Sequence, residues 1–142
     1  KYLLDQFRAR TSFTGTLSAI QTMTGKWPEA TLKLVEEAAN GAAIIDTLKN
    51  KISGIVPVKP RGAKEVRAQA VSPQFESGNI YLPDPSIAPW VHDYIEELCA
   101  FPYGKHDDQV DATSQALLKF NQTINFDWMP RSITQRRRAP VG

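Results

Sequence analysis

The sequence predicts an α/β fold, with at least partly parallel strands joined by helical crossovers. Short runs rich in Leu, Ile and Val alternate with segments whose apolar residues recur at helical spacing, giving strand, helix, strand, helix, strand between Tyr2 and Val58. The length of 142 residues is enough for one compact core and too short for two ordinary ones. In such sheets the functional groups stand at strand ends.

The elements follow in order. Tyr2 to Phe7 reads as an opening strand with a basic exit at Arg8 and Arg10. From Thr14 to Thr24, Leu17, Ile20 and Met23 mark a helix that Gly25 is placed to stop. After the break at Trp27-Pro28, Leu32 to Val35 is a strongly apolar strand ending on Glu36-Glu37. Asn40-Gly41 turns the chain into a helix through Ala43, Ile44 and Leu48, and Ile52 to Val58 supplies the next strand. Gly62 to Ala70 reads as a short basic helix, and Gln74 to Leu82 as two extended pieces around a Gly-Asn turn. Trp90, Val91, Tyr94, Ile95, Leu98 and Phe101 form the apolar face of another helix, interrupted by Pro102 to Gly104. The last helix runs from Asp107 to Phe120, with Val110, Ser114, Leu117 and Leu118 turned inward. Residues 1–122 are thus expected to form the domain and 123–142 a basic, extended tail.

Composition narrows the function classes. No apolar run approaches the roughly 18 to 20 residues of a membrane span, and no leader pattern is visible. Cys99 has no partner for an internal disulfide, and beside Ile95 and Leu98 it reads as a buried, inert thiol in a reducing compartment. Zinc-ligand spacing, a phosphate-binding glycine loop and a dinucleotide fingerprint are absent. Two histidines, His92 and His106, without a nucleophile elbow argue against a serine or cysteine hydrolase. The net charge of +2 says little by itself, but the cations cluster: Lys59, Arg61, Lys64 and Arg67 in one stretch, Arg131 and Arg136 to Arg138 in another. Lys1 in place of Met, in a run that already reads as strand, predicts a piece of a longer protein.

The chemistry concentrates in Lys105-His106-Asp107-Asp108-Gln109-Val110-Asp111. Asp108 and Asp111 are three apart and Asp107 and Asp111 four apart, so their side chains converge at the edge of one helix's first turns. Asp107 alone is accounted for by helix capping. Three acids within five residues exceed what capping needs and repel one another unless cations sit among them. Glu36, at the end of a strand, adds a carboxylate from a distant segment, with Glu37 beside it as an accessory group; solvated charges at a strand-to-helix junction are the plain alternative for both. Glu36, Asp107, Asp108 and Asp111 are therefore the candidate catalytic and metal-ligating residues, for Mg²⁺ or Mn²⁺ and for two ions acting together. Asp108 ranks above Asp107 because it shares a face with Asp111. Lys59, Arg61, Lys64, Arg67 and Lys105 are candidate contacts to DNA phosphates, with a solvated basic loop as the plain alternative. His106 is a possible accessory group.

Taken together, Tyr2-Leu3-Leu4-Asp5-Gln6, Trp27-Pro28, Val35-Glu36-Glu37-Ala38-Ala39-Asn40-Gly41, Lys64-Glu65-Val66-Arg67-Ala68, Gly78-Asn79-Ile80-Tyr81-Leu82-Pro83 and His106-Asp107-Asp108-Gln109-Val110-Asp111-Ala112 resemble the C-terminal nuclease domain of the large terminase subunit of tailed phages. The resemblance covers nearly everything from the start to about Phe120. It implies a ribonuclease-H-like mixed sheet flanked by helices, and a metal-dependent endonuclease that cuts concatemeric viral DNA during packaging. It also implies an ATPase domain in the same subunit, the terminase small subunit and the portal protein as partners, and the cytoplasm of the infected bacterial host as the setting. Glu36 matches the family's strand-end acid, and Asp107-Asp108 its C-terminal acidic position, with Asp111 close by as in related Holliday-junction resolvases. The family's first catalytic aspartate lies on a strand before the segment matching Tyr2 to Gln6, and Asp5 is no substitute. The first strands are thus expected to be missing, and this chain alone to cleave weakly or not at all. The alternatives are a Holliday-junction resolvase-like nuclease and a noncatalytic DNA-binding or assembly module of a packaging protein.

Overall fold

Ser12 opens the first helix: its hydroxyl accepts the Gly15 N–H at 3.1 Å, satisfying a donor that the first turn leaves unpaired. The structure, a computed structural model, describes residues 1–38 and 40–127, with 123–127 as backbone alone. Helix α1 spans Phe13–Lys26 and runs through Gly25, where the sequence places its stop. Its end comes at Trp27, because a residue before proline is disfavoured in the helical region and Pro28 follows.

Strand β1, Lys33–Glu36, leads into helix α2, Gly41–Leu48, and then strand β2, Ile55–Val58. The strands pair in parallel, Lys33 opposite Ile55 and Glu36 opposite Val58, as a helical crossover requires. Ile52, expected in the strand, instead follows α2 with its N–H on the Leu48 carbonyl, and is buried with Ile44 and Leu48. Leu17 and Ile20 of α1 and Val35 and Ile55 of the sheet close over this cluster. Gly54 makes the approach possible: it adopts φ +78°, and a Cβ there would stand 1.8 Å from the Thr31 carbonyl oxygen.

Helix α3 spans Lys64–Glu76, so Gln74, Phe75 and Glu76 are helical rather than the first arm of a hairpin. Pro73 sits in its last turn, where its ring does not prevent Ser77 N–H from reaching the Pro73 carbonyl. Gly78, at φ 69°, ends the helix instead of forming a strand turn. The predicted opening strand is also reduced: beyond the parallel bridge of Tyr2 with Tyr81, whose rings stack at 4.8 Å, residues 3–12 form no ladder.

Helix α4, Trp90–Ala100, turns Val91, Tyr94 and Glu97 inward. That stripe leaves Ile95 and Cys99 on the outer side, so the thiol is exposed rather than buried. Helix α5, Asp108–Asp127, buries Val110, Ser114 and Leu117 and runs past Phe120. Arg131 and Arg136 to Arg138 lie outside the described residues. The architecture is α/β, with five helices and a two-stranded parallel sheet among the described residues. No helix among them is long and apolar enough to cross a membrane.

Packing divides these elements into two groups: α1, α2, β1 and β2 around Leu48, and α3 and α4 against α5. The N-terminal segment ties them together. Asp5 accepts from the Lys26 ammonium at 2.7 Å and the Trp27 indole at 2.9 Å, while Gln6 donates to Gln109 and Arg8 pairs with Glu97. The Lys26 hydrogen bond, and then the Trp27 indole, hold the Asp5 carboxyl below its usual 3.8. Because the folded-state value is the lower one, this contact contributes stability above the usual carboxylate range and loses it as pH falls through the folded value. Asp5→Asn is therefore expected to show a smaller loss of melting temperature than the parent on acidification from about pH 5 to about pH 3. Equal losses in the two proteins would show that Asp5 does not anchor the segment.

Candidate active site

Two of the predicted acids, one from each packing group, line the same cleft. Glu36 is the last residue of β1 and half-buried; Asp108 is the first residue of α5 and exposed. Both line a cleft of about 790 Å³, together with Leu34, Asp111, Gln115 and Lys119. They also line a second, larger recess that reaches Asp5 and Trp27. Gly41 sets the position of Glu36, since a Cβ there would lie 1.7 Å from the Glu36 carbonyl oxygen, a distance no side chain tolerates. The small residue at the start of α2 thus lets the helix press against the strand end.

The other acids are engaged by cations. Asp111 is buried, and the Arg67 guanidinium donates to its Oδ1 from Nε at 3.1 Å and from a terminal nitrogen at 2.5 Å. The remaining Arg67 nitrogen donates to the Gly62 carbonyl at 2.6 Å. Asp107 accepts from Lys64 Nζ at 2.8 Å, and this hydrogen bond, reinforced by the charges of Asp107, Asp111 and Asp108, raises the Lys64 pKa above its usual 10.5. Glu37 pairs with Lys59 at 3.1 Å. Glu36 and Asp108 enter no ion pair among the described residues.

Lys64 and Arg67 of α3 therefore serve α5. Arg67 in particular is turned inward, where an external phosphate does not reach it. Lys59, Arg61, Lys105 and His106 are exposed. The Asp107 side chain meets Lys64 rather than capping α5. The cap comes from Glu97 of α4, whose Oε1 accepts the Gln109 N–H at 2.6 Å and the Val110 N–H at 3.4 Å. Its Oε2 accepts the Gln109 side-chain amide at 2.6 Å and pairs with Arg8 at 3.0 Å. Glu97, Gln109 and Gln115 are not among the site residues that the sequence predicts. The available signal was spacing: Glu97 falls three residues after Tyr94 on the inward stripe, and Gln115 lies two turns from Asp108 on the same face.

Among the described residues, no three His, Cys, Asp or Glu side chains converge closely enough to hold a metal ion. The donor set in the cleft is smaller than four acids in sequence suggest, because α3 supplies cations to two of them. Of the four predicted acids, Glu36 and Asp108 remain as hard oxygen donors on the wall of one open cleft, which Glu29 also lines and which no thiolate or imidazole lines. That chemistry fits a hard divalent cation, which takes one or two carboxylates and completes its shell with water and substrate phosphate.

A family model described as the terminase RNaseH-like domain matches residues 1–120. Searches of the curated proteins and of the solved structures returned no match.

Proposed function

Because the chain belongs to the terminase RNaseH-like domain family, we propose that it is a metal-dependent endonuclease domain, hydrolysing phosphodiester bonds of double-stranded viral DNA during genome packaging. The observation that supports this reading is the shared cleft of Glu36 and Asp108, two carboxylates from distant elements that enter no ion pair among the described residues. Glu36 and Asp108 would hold Mg²⁺ or Mn²⁺ there. When bound, such a cation supplies Lewis-acid activation of water and stabilisation of charge on the leaving oxygen. A second ion would require Asp111 or Asp107 to leave its partner on α3, or oxygen donors from the DNA itself.

The chain's own residues perform the rest. Lys64 and Arg67 remove two negative charges from the neighbourhood of the cleft, so that a polyanionic substrate meets less repulsion. Exposed Lys59, Arg61 and Lys105 attract phosphates, and binding through them weakens with salt. The ATPase domain of the same subunit, the terminase small subunit and the portal protein are the proposed partners, in the cytoplasm of the infected bacterial host.

The test is nicking of supercoiled plasmid by the full-length protein with Mn²⁺ and with Mg²⁺. Asp108→Ala is expected to lower cleavage by at least about 100-fold, since loss of a ligand should exceed the loss that follows removal of a ligand's supporting residue. Undiminished cutting by that variant would overturn the reading. Salt-dependent DNA binding with no metal effect would favour a noncatalytic assembly module, and preference for branched over linear DNA a junction resolvase.

A further inference from the structure

We propose that Gln115 is the positioning residue for Glu36: it orients the site carboxylate across the cleft without neutralising it. This rests on the reading of Glu36 and Asp108 as the cation-holding pair. Gln115 Nε2 donates to Glu36 Oε2 at 3.0 Å, a bond that joins α5 directly to the end of β1. An ionised carboxylate is an acceptor only, so the amide must present its nitrogen there.

The contrast with the neighbouring acids gives this bond its meaning. Asp107, Asp111 and Glu37 are each met by a full positive charge, from Lys64, Arg67 and Lys59. An ammonium or guanidinium on a carboxylate competes with a metal cation for the same negative charge. A neutral amide fixes the carboxylate's direction and leaves its charge and its second oxygen available. Outer partners of this kind characteristically orient a ligand and tune its affinity.

The geometry of α5 makes the arrangement economical. Asp108 and Gln115 are two helical turns apart on the face that lines the cleft, so one rigid element carries one carboxylate and aims the other. The N-terminal segment ties the two packing groups together, and the Gln115–Glu36 bond adds a direct tie between α5 and the end of β1 at the cleft itself, where it bears on the placement of Glu36 relative to Asp108.

The experiment is calorimetric titration of Mn²⁺ alone into the full-length protein, following the binding event that Asp108→Ala removes. Gln115→Met keeps the side chain's length and bulk but has no N–H donor, and Gln115→Asn keeps the amide but falls short of Glu36. Both are expected to weaken that event by about 10-fold or more, with melting temperatures in EDTA unchanged from the parent. Parental affinity in Gln115→Met, with the event still abolished by Asp108→Ala, would overturn the positioning role and leave the site reading standing. An affinity loss matched in both variants by a fall in the EDTA melting temperature would assign Gln115 a merely structural role and also overturn it. Absence of any Asp108-dependent binding in the parent would overturn the site reading, and the positioning role with it.

Discussion

Arg67→Ala is expected to destabilise the fold by about 3 to 5 kcal/mol, measured by urea denaturation, because it leaves the buried Asp111 carboxylate without its counter-charge. The side chains of the pair are only 9% and 10% exposed, so water does little to replace the lost partner. The same substitution strips a hydrogen bond from the Gly62 carbonyl at the approach to α3. Replacing both partners, Arg67→Met with Asp111→Leu, is expected to cost far less than Arg67→Ala alone, since two well-packed apolar groups need no desolvation of charge. A double-mutant cycle that gave Arg67→Ala and the double variant equal destabilisation would show that the pair is screened, contrary to its burial. The cycle also bears on the site. If Asp111 serves chiefly to lock α3 onto α5, a conservative Asp111→Asn should lose stability before it loses Mn²⁺ binding, whereas Asp108→Ala should do the reverse.

This pair also shows where the sequence was readable and where it was not. The strand-end position of Glu36 follows from an apolar run that terminates on acids, and Gly41 follows from the need for a tight turn after it; both positions stand as read. The convergence of Asp108 and Asp111 on one cleft follows from helical spacing, a local property that sequence carries directly. What sequence does not carry is which distant charge meets which. Lys64 and Arg67, three apart in a basic stretch, look the same whether they face solvent and DNA or the flank of α5. The segment from Gln74 to Leu82 misleads for a different reason: Pro73 and Gly78 are punctuation for a turn and for a helix end alike, and only packing against α5 selects the helix. Glu97 is hidden because a charged residue on an inward stripe contradicts the apolar pattern used to find that stripe, which pushed Ile95 and Cys99 into its place.

Glu97→Ala is expected to cost about 3 kcal/mol, combining loss of a helix cap with the stranding of buried donors. Its carboxylate, 6% exposed as a residue, accepts from two backbone N–H groups at the start of α5, from the Gln109 amide and from Arg8. Gln109 passes the connection on, its side-chain oxygen accepting from Gln6 at 2.6 Å, so one acid joins α4, α5 and the N-terminal segment. Removing it leaves the first turn of α5 without its partner at the point where Asp108 stands. The expected result is therefore double: a lower urea midpoint and weaker Mn²⁺ binding, although Glu97 itself does not line the cleft. Glu97→Gln keeps one acceptor oxygen and the bulk, and should retain part of the cap while losing the Arg8 pair, falling between parent and alanine in both measurements. A stability loss in Glu97→Ala with Mn²⁺ affinity unchanged would mean that the first turn of α5 holds Asp108 in place without its cap.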